Sequence, residues 1–242
     1  MERAATGHPY MIATKRAIGH SQTPFLPCQT GPSVIKCQKH PPAGTDIERG
    51  EQIVMRPELH LFETNPIIAA VKDERQLEKT FALENDILFF LFGNICTIGS
   101  LVRRAKEAGK LAFVHLDLTQ GLSSKDVAAD FVKEYAQADG VISTRPALLC
   151  RAKALGLITV LRVFLVDSLS LDNLNKQIAA CDPDLIEIMP GVMPKVIRQV
   201  CQTVRRPVIT GGMISDKEDV IAALSAGALC VSTSCEELWQ DV

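Results

Sequence analysis

Eight short apolar runs alternate with seven amphipathic runs along most of this chain, and no other feature constrains the fold as strongly. The apolar runs have the length of strands and are residues 66–71, 87–92, 111–117, 140–144, 158–166, 185–189, 208–210 and 229–232. The amphipathic runs are residues 75–81, 97–108, 123–136, 147–155, 169–180, 193–204 and 216–226. Continuous apolar strands separated by helices are typical of a parallel sheet that is buried on both faces.

This repeated strand–helix unit predicts a closed barrel. Eight such units match a (β/α)8 barrel of the TIM type. No Gly-x-Gly-x-x-Gly motif follows the first strand, which argues against an open dinucleotide-binding sheet. Few residues follow the eighth run. The predicted fold class is therefore α/β, a compact (β/α)8 TIM-type barrel with a truncated last helix, over residues 55–242.

Residues 1–54 differ in composition from the rest. They hold six of the 13 prolines, together with much Thr, Gln and Gly, and they show no sustained periodicity. Such a segment buries too little apolar area to offset the entropy of the chain. We expect a disordered N-terminal extension, for which Met55 offers an alternative start.

Charge and hydropathy argue against a protein that attracts nucleic acid by its overall charge and against a membrane protein. The chain has 26 basic and 28 acidic residues, so its overall charge does not attract nucleic acid. It has no apolar run of membrane-spanning length and no secretion signal at its start. A cytoplasmic protein without a membrane partner is expected.

The eight cysteines form no Cys-x-x-Cys pair. Those in apolar patterns are expected to be small buried hydrophobic residues in a reducing compartment: Cys96, Cys150, Cys181, Cys201 and Cys230. Cys28, Cys37 and His40 lack a fourth ligand at a suitable spacing, so no metal site is expected.

A phosphate site is predicted where the last two strands end. Gly211 and Gly212 follow the seventh strand, and their backbone N–H groups are open to an anion. Ser232, Thr233 and Ser234 end the eighth strand and offer hydroxyl and N–H groups before a short helix. The loops after strands 7 and 8 form the phosphate site of many (β/α)8 barrels.

Charged residues interrupt or end several of the apolar strands. They are Lys72, Asp117, Arg162 and Glu187, and Gly191 follows the sixth strand. Buried charges must be paired or must face a wet cavity. Two interpretations remain open: an ion-pair network that fills the barrel, or a polar ring around a small anionic ligand with hydroxyls. His115, within the third strand, is expected to be a core residue rather than a catalyst.

Five segments are similar to a known family. They are HLDLTQGLSSK (115–125), ADGVIST (138–144), LIEIMPGVMP (185–194), TGGMISDKED (210–219) and ALSAGA (223–228). Together they resemble the glycerol-3-phosphate responsive antiterminator family of bacteria, over about residues 65–239. The third segment, taken with DLTQGLSSK, is the most specific part of the likeness.

The resemblance implies a regulator rather than an enzyme, with no cofactor. Such proteins sense glycerol 3-phosphate and act on the leader mRNA of glycerol-utilisation operons, which lets transcription pass a terminator. The resemblance does not locate the RNA-binding face or fix the oligomeric state, and a homo-oligomer remains open. Two basic regions are candidates for RNA contact, Arg103 to Lys110 and Lys195 to Arg206.

Two alternatives stand beside the regulator. The first is a phosphate-binding enzyme, an isomerase, aldolase or phosphoglycerol transferase, that acts on a small phosphorylated polyol or sugar through Asp117, Lys72 or Glu187. Against it stand very short strand-to-helix loops and the lack of a lid. The second is a purely structural barrel, which leaves the phosphate cradle unexplained.

Overall fold

The computed structural model describes residues 57–240, so the expected extension over residues 1–54 and the alternative start lie outside the described residues. Eight parallel strands pair in chain order, and the eighth pairs with the first to close a barrel. They are β1 (Ile67–Val71), β2 (Ile87–Phe90), β3 (Leu111–His115), β4 (Gly140–Ser143), β5 (Ile158–Phe164), β6 (Leu185–Met189), β7 (Val208–Gly211) and β8 (Cys230–Thr233). The predicted (β/α)8 barrel is confirmed.

A helix follows each of the first seven strands. After a first turn, α1 (Leu61–Thr64), these are α2 (Glu74–Thr80), α3 (Ile98–Glu107), α4 (Val127–Phe131), α5 (Pro146–Ala154), α6 (Ser168–Cys181), α7 (Pro194–Thr203) and α8 (Lys217–Ser225). After β8, the described residues contain one 3-10 turn, Glu236–Trp239, as expected for a truncated last helix. None of the described helices is both long and apolar enough to cross a membrane.

One helix boundary differs from its prediction. The run at residues 123–136 becomes helical only at Val127, and its second half, Val132–Ala136, is a π-helix. The Ser123 hydroxyl accepts a hydrogen bond from the Lys125 N–H at 3.1 Å. A serine that satisfies a local turn in this way is not available to begin the helix.

The interior of the barrel is apolar in its lower part. A core cluster inside the strands includes Ile68, Phe89, Phe113 and Leu185. The helical turn before β1 closes the N-terminal end, where Phe62 meets the edge of Phe113 at a ring distance of 5.5 Å. A separate, larger cluster lies between the strands and the helices. This division follows from strand geometry, because successive side chains point to opposite faces.

Polar side chains replace apolar ones toward the C-terminal ends of the strands. Arg162 on β5 lies in register with Glu187 on β6, and Gly211 on β7 lies in register with Ser232 on β8. These four residues occupy the inward-facing positions of adjacent strands. The strand alternation therefore brings the predicted polar residues into the upper barrel, where (β/α)8 proteins carry their sites.

Of the five cysteines predicted to be buried, two are buried, two are exposed and Cys201 is partly exposed. The six cysteines among residues 57–240 are free thiols, and Cys181 and Cys230 are buried as expected. Cys96 and Cys150 are exposed, because one precedes α3 in a turn and the other lies on the outer side of α5. Within this described range, no cluster of His, Cys, Asp and Glu side chains is arranged to hold a metal ion.

Candidate functional site

A buried ion pair lies at the centre of the upper barrel. Arg162 Nε donates to Glu187 Oε2 at 2.6 Å, and Arg162 Nη2 donates to Oε1 at 3.2 Å. The Ser232 hydroxyl donates to the same Oε1 at 2.6 Å. Glu187 is completely buried and Arg162 is 5% exposed. Each carboxylate oxygen thus has a donor, which is the condition under which a buried charge is tolerated.

Gly211 makes the hydrogen bond between Ser232 and Glu187 possible. A Cβ at this position would lie 2.2 Å from Ser232 Oγ and 3.0 Å from Glu187 Oε1. Every residue other than glycine would therefore push the hydroxyl away from the carboxylate. The sequence suggested that Gly211 leaves its backbone open to a phosphate. The strand register reveals a second reason for a glycine here, which is the space that Ser232 needs to reach Glu187.

Above this pair lies a small cavity of about 100 Å³. Its lining includes Arg162, Gly212, Ser232, Thr233 and Ser234. Arg162, from the predicted polar ring, thus lines the same cavity as four of the five predicted phosphate residues, all except Gly211. The cavity combines a guanidinium with backbone and hydroxyl groups, which is a set of donors that suits a small anion.

The two loops on one side of the cavity are joined to each other. The Gly191 N–H, in the loop between β6 and α7, donates to the Gly212 carbonyl at 3.0 Å. Gly212 and Met213 both have positive φ angles, +77° and +64°. A Cβ on Gly191 would lie 2.9 Å from Ile214 Cδ1, so a larger residue here would separate the loops. The small size of Gly191 therefore lets its loop pack against the loop that carries Gly212.

The three hydroxyls at the end of β8 have different partners. Ser232 donates to Glu187, as described above, and Thr233 donates to the Ile214 carbonyl at 3.1 Å. Thr233 Oγ1 also accepts from the Cys235 N–H at 3.1 Å. In the described part of the chain, the Ser234 hydroxyl has no hydrogen-bond partner. Of the three side chains, Ser234 is the one whose hydroxyl is open to a ligand.

The short helix expected after β8 covers Glu236–Trp239. Its first residue lies two positions past Ser234, the last of the predicted phosphate residues. Two carboxylates, Glu236 and Glu237, lie in its first turn. Glu236 pairs with Arg75, at 2.8 Å, and with Lys79 on α2. These ion pairs therefore attach the turn after β8 to α2.

Asp117 lies in a separate polar group. Its Oδ2 accepts from the Ser143 hydroxyl at 3.0 Å and from the Thr144 N–H at 2.8 Å. Arg145 Nε lies 3.3 Å from the other oxygen, Oδ1. None of these residues lines the cavity beside Gly212. Asp117 thus links the ends of β3 and β4.

His115 is a buried neutral base beneath Asp117. Its Nδ1 lies 3.8 Å from Asp117 Oδ2, too far for a hydrogen bond, and has no other partner among the described residues. Burial, and next the positive charge of Arg162, lower the pKa of His115 to about 3, although Asp117 acts in the opposite direction. The imidazole is therefore uncharged near neutral pH, as expected for a core histidine.

Lys72 is exposed at the end of β1 and does not line the cavity. Its backbone N–H donates to Gln76 Oε1 at 2.9 Å, which fixes the start of α2 rather than a site. Of the polar ring expected from the sequence, the structure brings Arg162 and Glu187 together and leaves Lys72 and Asp117 outside this group.

Sequence reasoning missed an apolar rim on the same end of the barrel. Phe164 ends β5, Val166 and Leu169 come after it, and the three are 54%, 82% and 63% exposed. Met213, after β7, is 76% exposed and lines the cavity. The signal was present in the sequence, because hydrophobic residues continue past the end of the fifth strand.

Larger cavities lie away from these residues. Two of them, of about 390 and 420 Å³, share Lys106 and Gln137 in their linings, near α3 and the π-helix. Neither contains a residue that the sequence marked as a ligand or catalytic candidate. The smaller cavity at the C-terminal ends of the strands remains the candidate site, because its donors converge there.

Comparison with known proteins finds a family match and a similar curated protein. Residues 67–239 match the family described as glycerol-3-phosphate responsive antiterminator. The chain is 45% identical over 183 residues to the uncharacterized protein YgcP of Escherichia coli (strain K12), covering 76% of this chain and 96% of that protein.

Two solved structures are also similar. One is the glycerol uptake operon antiterminator regulatory protein of Listeria monocytogenes, at 33% identity and a TM-score of 0.69, covering 72% of this chain and 94% of that one. The other is a glycerol uptake operon antiterminator-related protein of Thermotoga maritima, at 33% identity and a TM-score of 0.65, covering 72% and 98%. The chain therefore belongs to the glycerol-3-phosphate responsive antiterminator family.

Proposed function

We propose that this protein senses glycerol 3-phosphate and acts as a transcription antiterminator by binding the leader mRNA of glycerol-utilisation operons. The observation that carries the proposal is the cavity of about 100 Å³ at which Arg162 meets the loops after β7 and β8. Its size suits a ligand of few atoms, since sites for larger ligands measure about 300–1,000 Å³. Membership of the antiterminator family supports the regulatory role.

In this proposal the phosphate group binds between the loops after β7 and β8. Backbone N–H groups near Gly212 and Thr233, and the open hydroxyl of Ser234, would donate to its oxygens. Arg162 supplies the positive charge from below, since it lines the same cavity. The guanidinium is held by Glu187 at 2.6 Å, so it meets the ligand in a fixed position.

The contacts of the carboxylates favour binding over catalysis. Both oxygens of Glu187 accept hydrogen bonds within the protein. Asp117 Oδ2 accepts from Ser143 and Thr144, whereas its Oδ1 has no hydrogen-bond partner among the described residues, but Asp117 lies outside the cavity lining. A general base needs a free oxygen within reach of the substrate. We therefore propose a sensor without enzymatic turnover rather than an isomerase, aldolase or phosphoglycerol transferase.

Calorimetry and RNA binding together test the proposal. Heats of binding are measured for glycerol 3-phosphate, glycerol and inorganic phosphate, and we expect glycerol 3-phosphate to bind most tightly. The affinity for a transcript of a glycerol-operon leader is then measured with and without saturating glycerol 3-phosphate at fixed salt. A ligand-dependent gain of about 5–150-fold is expected, with RNA raising the ligand affinity by the same factor.

Two results would contradict the proposal. Equal affinity for the leader transcript with and without glycerol 3-phosphate would remove the sensing role. Turnover of a phosphorylated polyol or sugar by the purified protein would favour the enzyme instead.

A further inference from the structure

The outer surface of α7 is basic and free of acidic residues. Between Glu187 and Asp216 the sequence contains no Asp or Glu, but it contains four basic residues. The chain as a whole carries a formal charge of −2, so this segment departs from the average. Any attraction to nucleic acid must therefore come from a local surface of this kind.

Helical spacing collects these residues on one side of α7. Ile197 and Val200 are buried against the barrel, which orients the helix. The exposed side carries Lys195, Arg198, Gln199 and Gln202, and Arg205 follows just after the helix ends; we call these five residues the α7 outer face. Residues three and four apart on a helix have Cβ atoms about 5–6 Å apart, so the two cations and two amides form one continuous row.

Several basic residues on other helices have acidic partners. Arg104 on α3 lies 3.2 Å from Glu74 and 3.0 Å from Glu78. Arg151 on α5 pairs with Asp130. By contrast, no carboxylate of the described chain lies within ion-pairing distance of the three cations of the α7 outer face. Their charge is not neutralised within the protein and is available to a polyanion.

We infer that the α7 outer face binds the sugar–phosphate backbone of the RNA, an inference that rests on the function proposed above. The cations would contact phosphates, and the glutamine amides can donate to phosphate, ribose or base oxygens. The alternative region on α3 offers less unpaired charge, because Arg104 and Lys106 are both engaged with acidic residues.

The position of α7 also connects the RNA surface with the ligand site. The helix begins at Pro194, directly after the loop that contains Gly191. That loop is hydrogen-bonded to Gly212 at 3.0 Å. A ligand that binds at Gly212 therefore contacts a residue that is hydrogen-bonded to the loop before α7. The two binding events share one structural element, which is what energetic coupling between sites requires.

Charge removal on the full-length protein tests the inference. The variant Lys195→Gln, Arg198→Gln, Arg205→Gln is compared with a control that removes three exposed cations elsewhere: Arg103→Gln, Lys125→Gln, Lys176→Gln. Affinity for a labelled leader transcript is measured from 0.05 to 0.3 M salt with saturating glycerol 3-phosphate. We expect the first variant to bind about 100-fold more weakly at about 0.1 M salt and to lose about two to three units of the log–log salt slope.

A second variant guards against effects on folding. Gln199→Glu with Gln202→Glu adds negative charge to the α7 outer face and should weaken RNA binding without changing the thermal stability or the calorimetric affinity for glycerol 3-phosphate. Parent-like RNA affinity in both α7 variants would overturn the inference, whether or not the control loses affinity. Failure of the parent protein to bind the transcript at all would instead contradict the proposed function.

Discussion

At the scale of single residues, the buried group around Glu187 is the most constrained part of the molecule. Arg162 and Ser232 donate hydrogen bonds to its carboxylate, and the lack of a side chain at Gly211 leaves space for the Ser232 hydroxyl. The two interpretations of the polar residues thus prove to be compatible. The ion pair fills the barrel, while Arg162 also lines the cavity above it.

Replacing Arg162 should destabilise the fold strongly. Arg162→Met leaves the carboxylate of Glu187 buried without its cation, which should reduce the free energy of unfolding by about 3–5 kcal/mol in urea titrations. The double variant Arg162→Met, Glu187→Leu should lose less, because an apolar pair avoids the uncompensated charge. Parent-like stability of the single variant would show that the pair has little structural role.

His115 should make the protein sensitive to acid. Its pKa is about 3 in the folded state against 6.5 ordinarily, so between these values the unfolded chain binds the additional proton. Stability should be complete above pH 6.5 and fall by up to about 1.4 kcal/mol per pH unit below it. From pH 7 to pH 5, the parent should lose about 2 kcal/mol more than His115→Gln does. The exposed His60→Gln serves as control, and an equal loss in all three proteins would refute the assignment.

At the scale of elements, the loops after β6, β7 and β8 act as one unit. Gly191 donates to Gly212, and Thr233 donates to Ile214. These two hydrogen bonds hold Gly212 and Ile214, which both line the cavity. The same unit leads into α7, which carries the unpaired cations.

A negative charge in the loop after β7 should prevent anion binding. Gly212 has φ +77°, which Asp and Asn tolerate better than other residues, so Gly212→Asp and Gly212→Asn should strain the backbone alike. Only the aspartate repels a phosphate, and we expect calorimetry to show at least about 10-fold weaker binding of glycerol 3-phosphate than for the asparagine variant. Equal affinities for the two variants would locate the phosphate elsewhere.

At the scale of the whole molecule, the two ends of the barrel differ in composition. Its N-terminal end is closed by Phe62 and is apolar inside, while its C-terminal end carries the ion pair, the cavity and the apolar rim. This division is general for (β/α)8 proteins and allows the loops to vary without loss of the core.

Residues 1–54 should be dispensable for both stability and sensing. A chain that starts at Met55 retains every contact described here, so its melting temperature and its affinity for glycerol 3-phosphate should equal those of the full chain. The comparison uses thermal unfolding and calorimetry on both proteins. A clear loss of either property in the shorter chain would show that the N-terminal residues contribute to the barrel.

The sequence by itself determined the barrel and the end of it that carries the candidate site. Hydrophobic periodicity indicates whether each strand is buried, and it can be read from the residues of that strand alone. Arg162 and Glu187 could be placed on adjacent strands for the same reason. The family resemblance followed from short segments that were already visible in the chain.

Only the tertiary structure decided which strand-end residues meet. Ser232 lies 45 positions from Glu187 and donates to it, whereas Lys72 and Asp117 end similar strands and lie outside the cavity. Such contacts depend on strand register, side-chain direction and the space left by a neighbour such as Gly211. These quantities are fixed by closing and packing the whole barrel, so no local pattern in the sequence encodes them.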